Sequence, residues 1–283
     1  MISYIGGKST ISKTLIIPNI PTDIENFVEV FGGMFWVFFK MDINKYPNLK
    51  KIVYNDFNAL NSNLFKCIKD HQTLLKACDK LPVQQKGLKP TPDSCKALFN
   101  EIQSEIYADG FVVPLKADYD LAAKYVYVLT QVFSGSNPTR SKFIDLKGKY
   151  HSKFTSFKNK LRDPKWQKLF ESVTHVENLD FVDTIKKYDG PNTYFYCDPP
   201  YYRTEKYYAN HDFGIETHEK LADCLKSIEG KFSLSYYDFP QLSEWFPKDE
   251  YVWASKQFAK AAAAKKGVSQ NMGEELLIMN YEL

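Results

Sequence analysis

The stretch Phe195-Tyr196-Cys197-Asp198-Pro199-Pro200-Tyr201-Tyr202 is where residue type and spacing most clearly meet a chemical demand. Its apolar, aromatic first half reads as a buried strand, and it ends on an acid followed by two residues that cannot donate a backbone N–H. Proline fixes φ at about −65° and constrains the residue before it, so Asp198 and Pro199 are held with carboxylate and carbonyl oxygens able to point the same way. Two rigid acceptors that converge on one point suit a group with two N–H donors, and the exocyclic amine of a nucleobase is such a group. Gripping both protons favours a more tetrahedral, more nucleophilic nitrogen as a bond forms, which is preorganised electrostatics. Pro200 completes the rigid turn, and Tyr201 supplies a ring face on which an extruded base could stack. The bland alternative is a strand-ending turn in which the acid caps a helix.

The elements that must position such a site read as α/β. Asn26 to Val30 is a short β-rich run that breaks at Gly32-Gly33 into a long apolar stretch, as strand, tight turn and helix would. Lys51 to Tyr54 is a second strand that ends at Asn55-Asp56, before a helical pattern from Ala59 to Lys80. Together they predict a βαβ unit, parallel and right-handed, whose ligands lie beyond the carboxyl ends of the strands. Strand-like alternation returns at Thr193–Cys197, Phe232–Ser235, Tyr251–Ala254 and Leu276–Asn280, with a helical pattern at Glu216–Ile228. Between these halves lie Lys-rich helical segments, Asp93–Tyr107 and Asp118–Val132, then a basic block with no clear period. The predicted organisation is a ligand-binding domain in 1–80 and 188–283, interrupted by a second module in 81–187.

At 283 residues, with 44% apolar and 25% charged side chains, the chain is long enough for a self-sufficient core and outside the disordered range. The longest apolar run, Val30–Phe39, is far short of the roughly 20 residues that cross a bilayer, and Lys8 and Lys13 interrupt any signal-like segment. No membrane association is expected, and the reading is a protein of the cytoplasm. Five cysteines without a C-x-x-C pair argue against a disulfide framework and a structural zinc site. His71, His151, His175, His211 and His218 show no ligand spacing, so no metal is expected. Gly6-Gly7-Lys8-Ser9 is similar to the tail of a phosphate-binding loop, but the first glycine of that motif would fall at Ile2, with no room for the preceding strand.

The net charge of +3 is unevenly spread: between Pro138 and Lys165 stand nine Lys or Arg against two Asp. Phe143, Tyr150, Phe154 and Phe157 are interleaved with these cations, a composition that can pair phosphates and stack bases, although a solvated surface loop has the same look.

Five stretches taken in order carry a resemblance. They are Tyr4-Ile5-Gly6-Gly7-Lys8, Phe27-Val28-Glu29-Val30-Phe31-Gly32-Gly33, Tyr54-Asn55-Asp56-Phe57-Asn58, Asp198-Pro199-Pro200-Tyr201 and Glu274-Glu275-Leu276-Leu277-Ile278-Met279-Asn280-Tyr281. In this order the chain resembles the D12 class of DNA adenine-N6 methyltransferases, the Dam-like family, over nearly its whole length. Val30 stands where that family's cofactor loop usually has Pro, and Met34 and Phe35 where another Gly is common. The resemblance implies a Rossmann-like S-adenosylmethionine-dependent methyltransferase sheet, with a helical, basic target-recognition insertion that contacts double-stranded DNA. It implies methyl transfer from S-adenosylmethionine to adenine N6 after base flipping, with Asp198, Pro199, Pro200 and Tyr201 as the catalytic tetrad. The cofactor positions it implies are Tyr4, Lys8, Glu29, Phe31, Gly32, Gly33, Asp56, Asp183 and Asp198. In physical terms the glycines permit close backbone approach, a helix start after them would take the methionine carboxylate together with Lys8, and Asp56 would take ribose hydroxyls. Asp183 would face the adenine of the cofactor. The DNA-contacting candidates are Asn137, Arg140, Lys142, Lys147 and Lys149. Cytosine-N4 methylation and a catalytically inactive DNA-binding scaffold stay open as alternatives, as do the recognised sequence and the choice between a monomer and a weak dimer.

Overall fold

A computed structural model describes residues 7–8, 11–88, 93–133, 137–202, 213–259 and 272–283. Contacts divide the chain into two compact units, Met1–Gly7 with Asp56–Asn178 and Lys8–Asn55 with Leu179–Leu283. The breaks fall beside Asp56 and Asn178, so the segment 56–80, expected to go with the ligand-binding halves, shares its contacts with the helical insertion.

Two apolar runs form β1 (Asn26–Glu29) and β2 (Lys51–Asn55), which pair in parallel with Val28 opposite Val53. The helix expected after Gly32-Gly33 does not form; the crossover contains only 3-10 turns at Phe38–Lys40 and Ile43–Lys45. Phe35, Phe38 and Phe39 have helical spacing, which is why the sequence suggests a helix. Phe35 takes φ +55, a left-handed conformation that no helix interior accepts. Its ring lies 4.7 Å from Phe38 and 5.1 Å from Tyr54, with Phe27 beneath at 6.5 Å, so the run folds into a buried aromatic knot.

In the first unit, α1 (Ala59–Ile68) and α2 (His71–Asp79) replace the single helix expected from Ala59 to Lys80. The break has a local cause: the Asp70 carboxylate accepts from the Thr73 backbone N–H and caps a fresh helix. Then come α3 (Asp93–Ile106) and α4 (Tyr119–Thr130). The latter is buried along most of its length, with Tyr125 Oη donating to Asn61 and Tyr127 Oη to the Cys95 carbonyl. The latter part of the basic block, where no period is legible, holds α5 (Lys153–Arg162) and α6 (Pro164–Ser172). Ser152 and Asp163 cap these two helices, with Pro164 at the first position of the second. The unit ends in a short strand, β3 (His175–Glu177).

The second unit continues with α7 (Phe181–Tyr188), β4 (Thr193–Cys197), α8 (Ile215–Lys226), β5 (Lys231–Tyr236), α9 (Leu242–Trp245), β6 (Val252–Ala259) and β7 (Met272–Met279). Its six strands lie in the sheet in the order β2-β1-β4-β5-β7-β6, parallel from β2 to β5 and antiparallel at β7. Every residue of β4 is buried, as a central parallel strand requires. Val28, Val53, Phe195, Phe232, Leu234 and Ile278 form its core with Leu221 and Leu225 of α8. Among the described residues no helix is long and apolar enough to cross a membrane, no group of three His, Cys, Asp or Glu is placed to hold a metal ion, and the five cysteines are free.

Candidate active site

Parallel strands deliver their last residues to one edge of a sheet, and here that edge collects Glu29 from β1, Asn55 from β2, Asp198 after β4 and Tyr237 after β5. The antiparallel β7 runs the other way and so brings its beginning, with Glu275, to the same edge, one residue beyond the Tyr236–Leu276 pair.

The centre of the site is Lys8. Its Nζ lies 2.9 Å from Asp198 Oδ1 and 3.0 Å from Glu275 Oε1, with side-chain exposures of 9, 17 and 2%. The same ammonium donates to Tyr201 Oη, and that hydroxyl donates to Glu275 Oε1. Burial alone would lower the Lys8 ammonium, but the two carboxylates outweigh it and hold its pKa above the ordinary lysine value. Burial raises the Asp198 carboxyl above its usual range, against the opposing pull of the Lys8 ammonium. Burial likewise raises Glu275, and the Asp198 charge adds to that. The Tyr201 ring is buried, with the Lys8 ammonium 4.4 Å from its centroid and Tyr237 crossing it edge-on at 4.5 Å. Tyr237 itself is half-buried and stacks at 21° on Phe258. Pro199 and Pro200 are buried behind Asp198.

Beside this cluster the backbone after β1 makes a close turn. Gly32 N–H donates to the Asn55 carbonyl at 2.7 Å, and a Cβ on Gly32 would stand 2.9 Å from that oxygen and 2.4 Å from Tyr54 Cε2. Gly33 takes φ +49, and its carbonyl accepts from Tyr54 Oη at 2.8 Å. Asn55, fully buried, donates to the carbonyls of Val30 and Leu179 and accepts from Leu179 N–H, tying the Gly32 turn to the start of α7. The Glu29 carboxylate accepts the backbone N–H groups of Phe38 and Val37, the donors expected to meet an incoming anion. Its Oε2 is buried and has no hydrogen-bond partner among the described residues. Burial holds the Glu29 pKa well above the usual carboxylate range, and the Asp198 charge adds to this.

Of the other expected cofactor positions, Phe31 is half-buried in a three-ring cluster, 5.8 Å from both Phe181 and Phe213. Asp183 is exposed in the first turn of α7, where Asp180 makes the cap. Asp56 belongs to the first unit, and both its oxygens serve the start of α1, accepting from Asn58 N–H at 2.7 Å and Asn61 Nδ2 at 3.2 Å. Tyr4 and the residues 203–212 lie outside the described residues, as does the stretch 134–136. Sequence reasoning missed Asn55, Tyr237 and Glu275 as site residues, although Asn55 adjoins Asp56 and Glu275 is the second residue of the last-strand motif.

Within the first unit the basic loop is pinned by three glutamines. Gln84, buried, donates to Gln131 Oε1 and the Ile144 carbonyl and accepts from Leu146 N–H at 2.8 Å. Gln131 donates on to Ser152, and Gln103 donates to the carbonyls of Pro138 and Ser141. The loop displays Arg140, Lys142, Lys147 and Lys149 as exposed cations, while Asn137 turns its carbonyl side chain onto Thr139 and shapes the turn.

The family model described as D12 class N6 adenine-specific DNA methyltransferase matches residues 4–259. The Type II methyltransferase M.FokI of Planomicrobium okeanokoites is 25% identical over 302 aligned residues, which cover 99% of this chain and 42% of that protein. The chain therefore spans less than half the length of that relative.

Proposed function

The chain belongs to the D12 class N6 adenine-specific DNA methyltransferase family, and on that premise we propose that it transfers a methyl group from S-adenosylmethionine to N6 of an adenine flipped out of double-stranded DNA. The observation that carries this reading is the placement of Asp198, which ends a buried central strand, precedes two buried prolines and is held by a single buried ammonium.

The donor's chemistry suits the second unit. The Gly32 turn is packed against Tyr54 and Asn55 without space for a Cβ, which fixes the backbone beside Glu29, and the half-satisfied, buried Glu29 carboxylate suits a ligand carrying positive charge or N–H donors. Lys8, Glu29, Phe31, Gly32 and Gly33 would hold S-adenosylmethionine there, with Asp183 near the adenine. When bound it supplies a methyl group on a cationic sulfur.

The chain's own groups then act on the amine. Asp198 and the Pro199 carbonyl accept the two N6 protons and bring the nitrogen lone pair forward. Asp198 must be ionised to accept, and Lys8 keeps it so against the burial that raises its pKa. As N6 gains carbon it sheds one proton, which the hydrogen-bonded Asp198 oxygen receives. Tyr237 offers the more accessible ring for base stacking, with Tyr201 buried behind it. In the first unit, Arg140, Lys142, Lys147 and Lys149 would pair DNA phosphates, giving affinity and orientation without reading sequence.

The test is incubation of the chain with labelled S-adenosylmethionine and plasmid DNA, followed by base-resolved mapping of the modification. N6-methyladenine should appear with the native chain and vanish with Asp198→Ala. Label on cytosine N4, or equal transfer by that variant, overturns the proposal.

A further inference from the structure

We infer that Glu275 is a positioning residue of the methyl-transfer site, a standing counter-charge that keeps Lys8 in place when Asp198 takes up the proton shed by the target amine. The inference rests on the methyl-transfer reading and deepens it.

Asp198 Oδ1 is already bonded to Lys8 at 2.9 Å. The carboxylate has acceptor sites for an amine as well, but it loses its charge when it receives the proton that N6 sheds. If Lys8 had only Asp198, that proton would leave a buried ammonium without an anion, a costly state. Glu275 removes that penalty: at 3.0 Å it shares Lys8, it is nearly fully buried, and it accepts the Tyr201 hydroxyl on the same oxygen. Lys8 can thus lean from Asp198 toward Glu275 without travelling, and the Tyr201 ring stays fixed by the same atom.

The backbone explains why this residue comes from β7. The parallel strands β1, β4 and β5 end at this edge, whereas β7 alone among the strands beside β5 runs antiparallel and can contribute a residue from its start. No side chain of β5 replaces it, since Ser233 and Ser235 are spent on Tyr194 and Tyr196.

The experiment uses Glu275→Gln and Glu275→Asp in the full chain, with two independent readouts. The first is kcat and KM for DNA across pH. Glu275→Gln should lower kcat/KM at least tenfold, mostly through kcat, because protonating Asp198 during transfer then strands the Lys8 ammonium. The second is the titration of the Asp198 carboxyl by 13C NMR, identified by its loss in Asp198→Asn. Without a competing anion Asp198 has Lys8 to itself, so its pKa should fall in Glu275→Gln, and the acid limb of the rate profile should move to lower pH with it. Glu275→Asp keeps the charge and should restore the native titration and most of the rate; it also decides the matter if Gln does not fold. A merely structural glutamate would lower the melting temperature without moving either titration. Native kcat/KM in Glu275→Gln, or an unmoved Asp198 titration, overturns the inference. A native chain that transfers no methyl group overturns the proposed function alone, and the NMR titration then decides this inference by itself.

Discussion

Replacing Gly32 by Ala should be more damaging than the same change at Gly33, and the structure gives the order of magnitude of each. A Cβ at Gly32 would meet Tyr54 Cε2 at 2.4 Å, Tyr54 Cδ2 at 2.7 Å and the Asn55 carbonyl at 2.9 Å. Carbon contacts settle at about 3.5–4.0 Å, so the ring or the backbone must retreat by about 1 Å. Neither can do so freely. Tyr54 is fully buried, its hydroxyl donates to Gly33 and its ring abuts Phe35 at 5.1 Å, while Asn55 is buried at the end of β2 and bonded to Val30 and Leu179. Overpacking of this kind costs about 1–3 kcal/mol, and weakening the Gly32–Asn55 hydrogen bond adds about 1 kcal/mol. Gly33→Ala faces the left-handed backbone at φ +49, worth about 1–2 kcal/mol. At about 2–4 °C per kcal/mol for a chain of this size, Gly32→Ala should melt about 5–15 °C below the native protein. Thermal unfolding with calorimetric titration of S-adenosylmethionine measures both consequences, and Gly32→Ala should also weaken that binding at least tenfold. A Gly32→Ala protein as stable as Gly33→Ala, or one that binds the donor normally, refutes the close-approach argument.

Three further outcomes follow from other parts of the molecule. Since burial raises the Asp198 carboxyl and only its ionised form accepts the amine, methyl transfer should fall off on acidification at a pH above the ordinary aspartate range; a rate that holds down to that ordinary range would contradict the placement. Glu29 has its pKa raised well above normal by burial, so the free fold is penalised once pH rises past the ordinary glutamate range; the penalty shrinks as pH falls below the raised pKa and is gone below the ordinary one. Glu29→Gln should therefore melt higher than the native chain at neutral pH, converge with it in acid and bind S-adenosylmethionine less well; a gap that does not narrow in acid would point to packing. Gln84→Ala removes three hydrogen bonds at the root of the basic loop, about 2–4 kcal/mol of local order at about 1 kcal/mol each. DNA binding should weaken, as should binding by a variant with Arg140, Lys147 and Lys149 neutralised, whose salt dependence should flatten by about one unit of slope per lost phosphate contact. An unchanged slope in that charge variant would remove the loop from the DNA interface.

How much of this could be read in the residues depends on whether the determinant is local. The strands around Val28, Val53, Phe195 and Leu277 announce themselves by apolar alternation or runs, and Asp198-Pro199-Pro200-Tyr201 announces a rigid strand end, because each signal lies within a few consecutive positions. The stretch Met34–Phe39 misleads because helical spacing of Phe35, Phe38 and Phe39 is also the spacing of an aromatic knot, and only the backbone of Phe35, at φ +55, distinguishes them. Helices α5 and α6 hide because charged side chains dilute their apolar positions, leaving the caps Ser152 and Asp163 as the only strong local marks. Glu275 was beyond reach for a different reason. Its partner Lys8 is 267 positions away, and nothing short of strand order and direction places one beside the other.

That long-range pairing also explains a feature that would otherwise read as a defect. Among the described residues, buried Glu29 and Glu275 and half-buried Asp198 gather at one sheet edge, where the buried Lys8 ammonium pairs with the last two, and the pKa of each carboxyl is raised by burial. A chain selected for stability alone would not gather them, because each unbalanced buried anion costs free energy that packing of similar volume would not. Where these carboxyls are ionised the imbalance has a sign, and the sign matches what the proposed reaction would bring in: a cationic methyl donor, followed by an amine that becomes positive as its bond to carbon forms. Charges fixed in advance by β1, β4 and β7 need no reorganisation when that positive charge arrives, so the instability of the free protein and the stabilisation of the reacting state are the same interaction counted in two states.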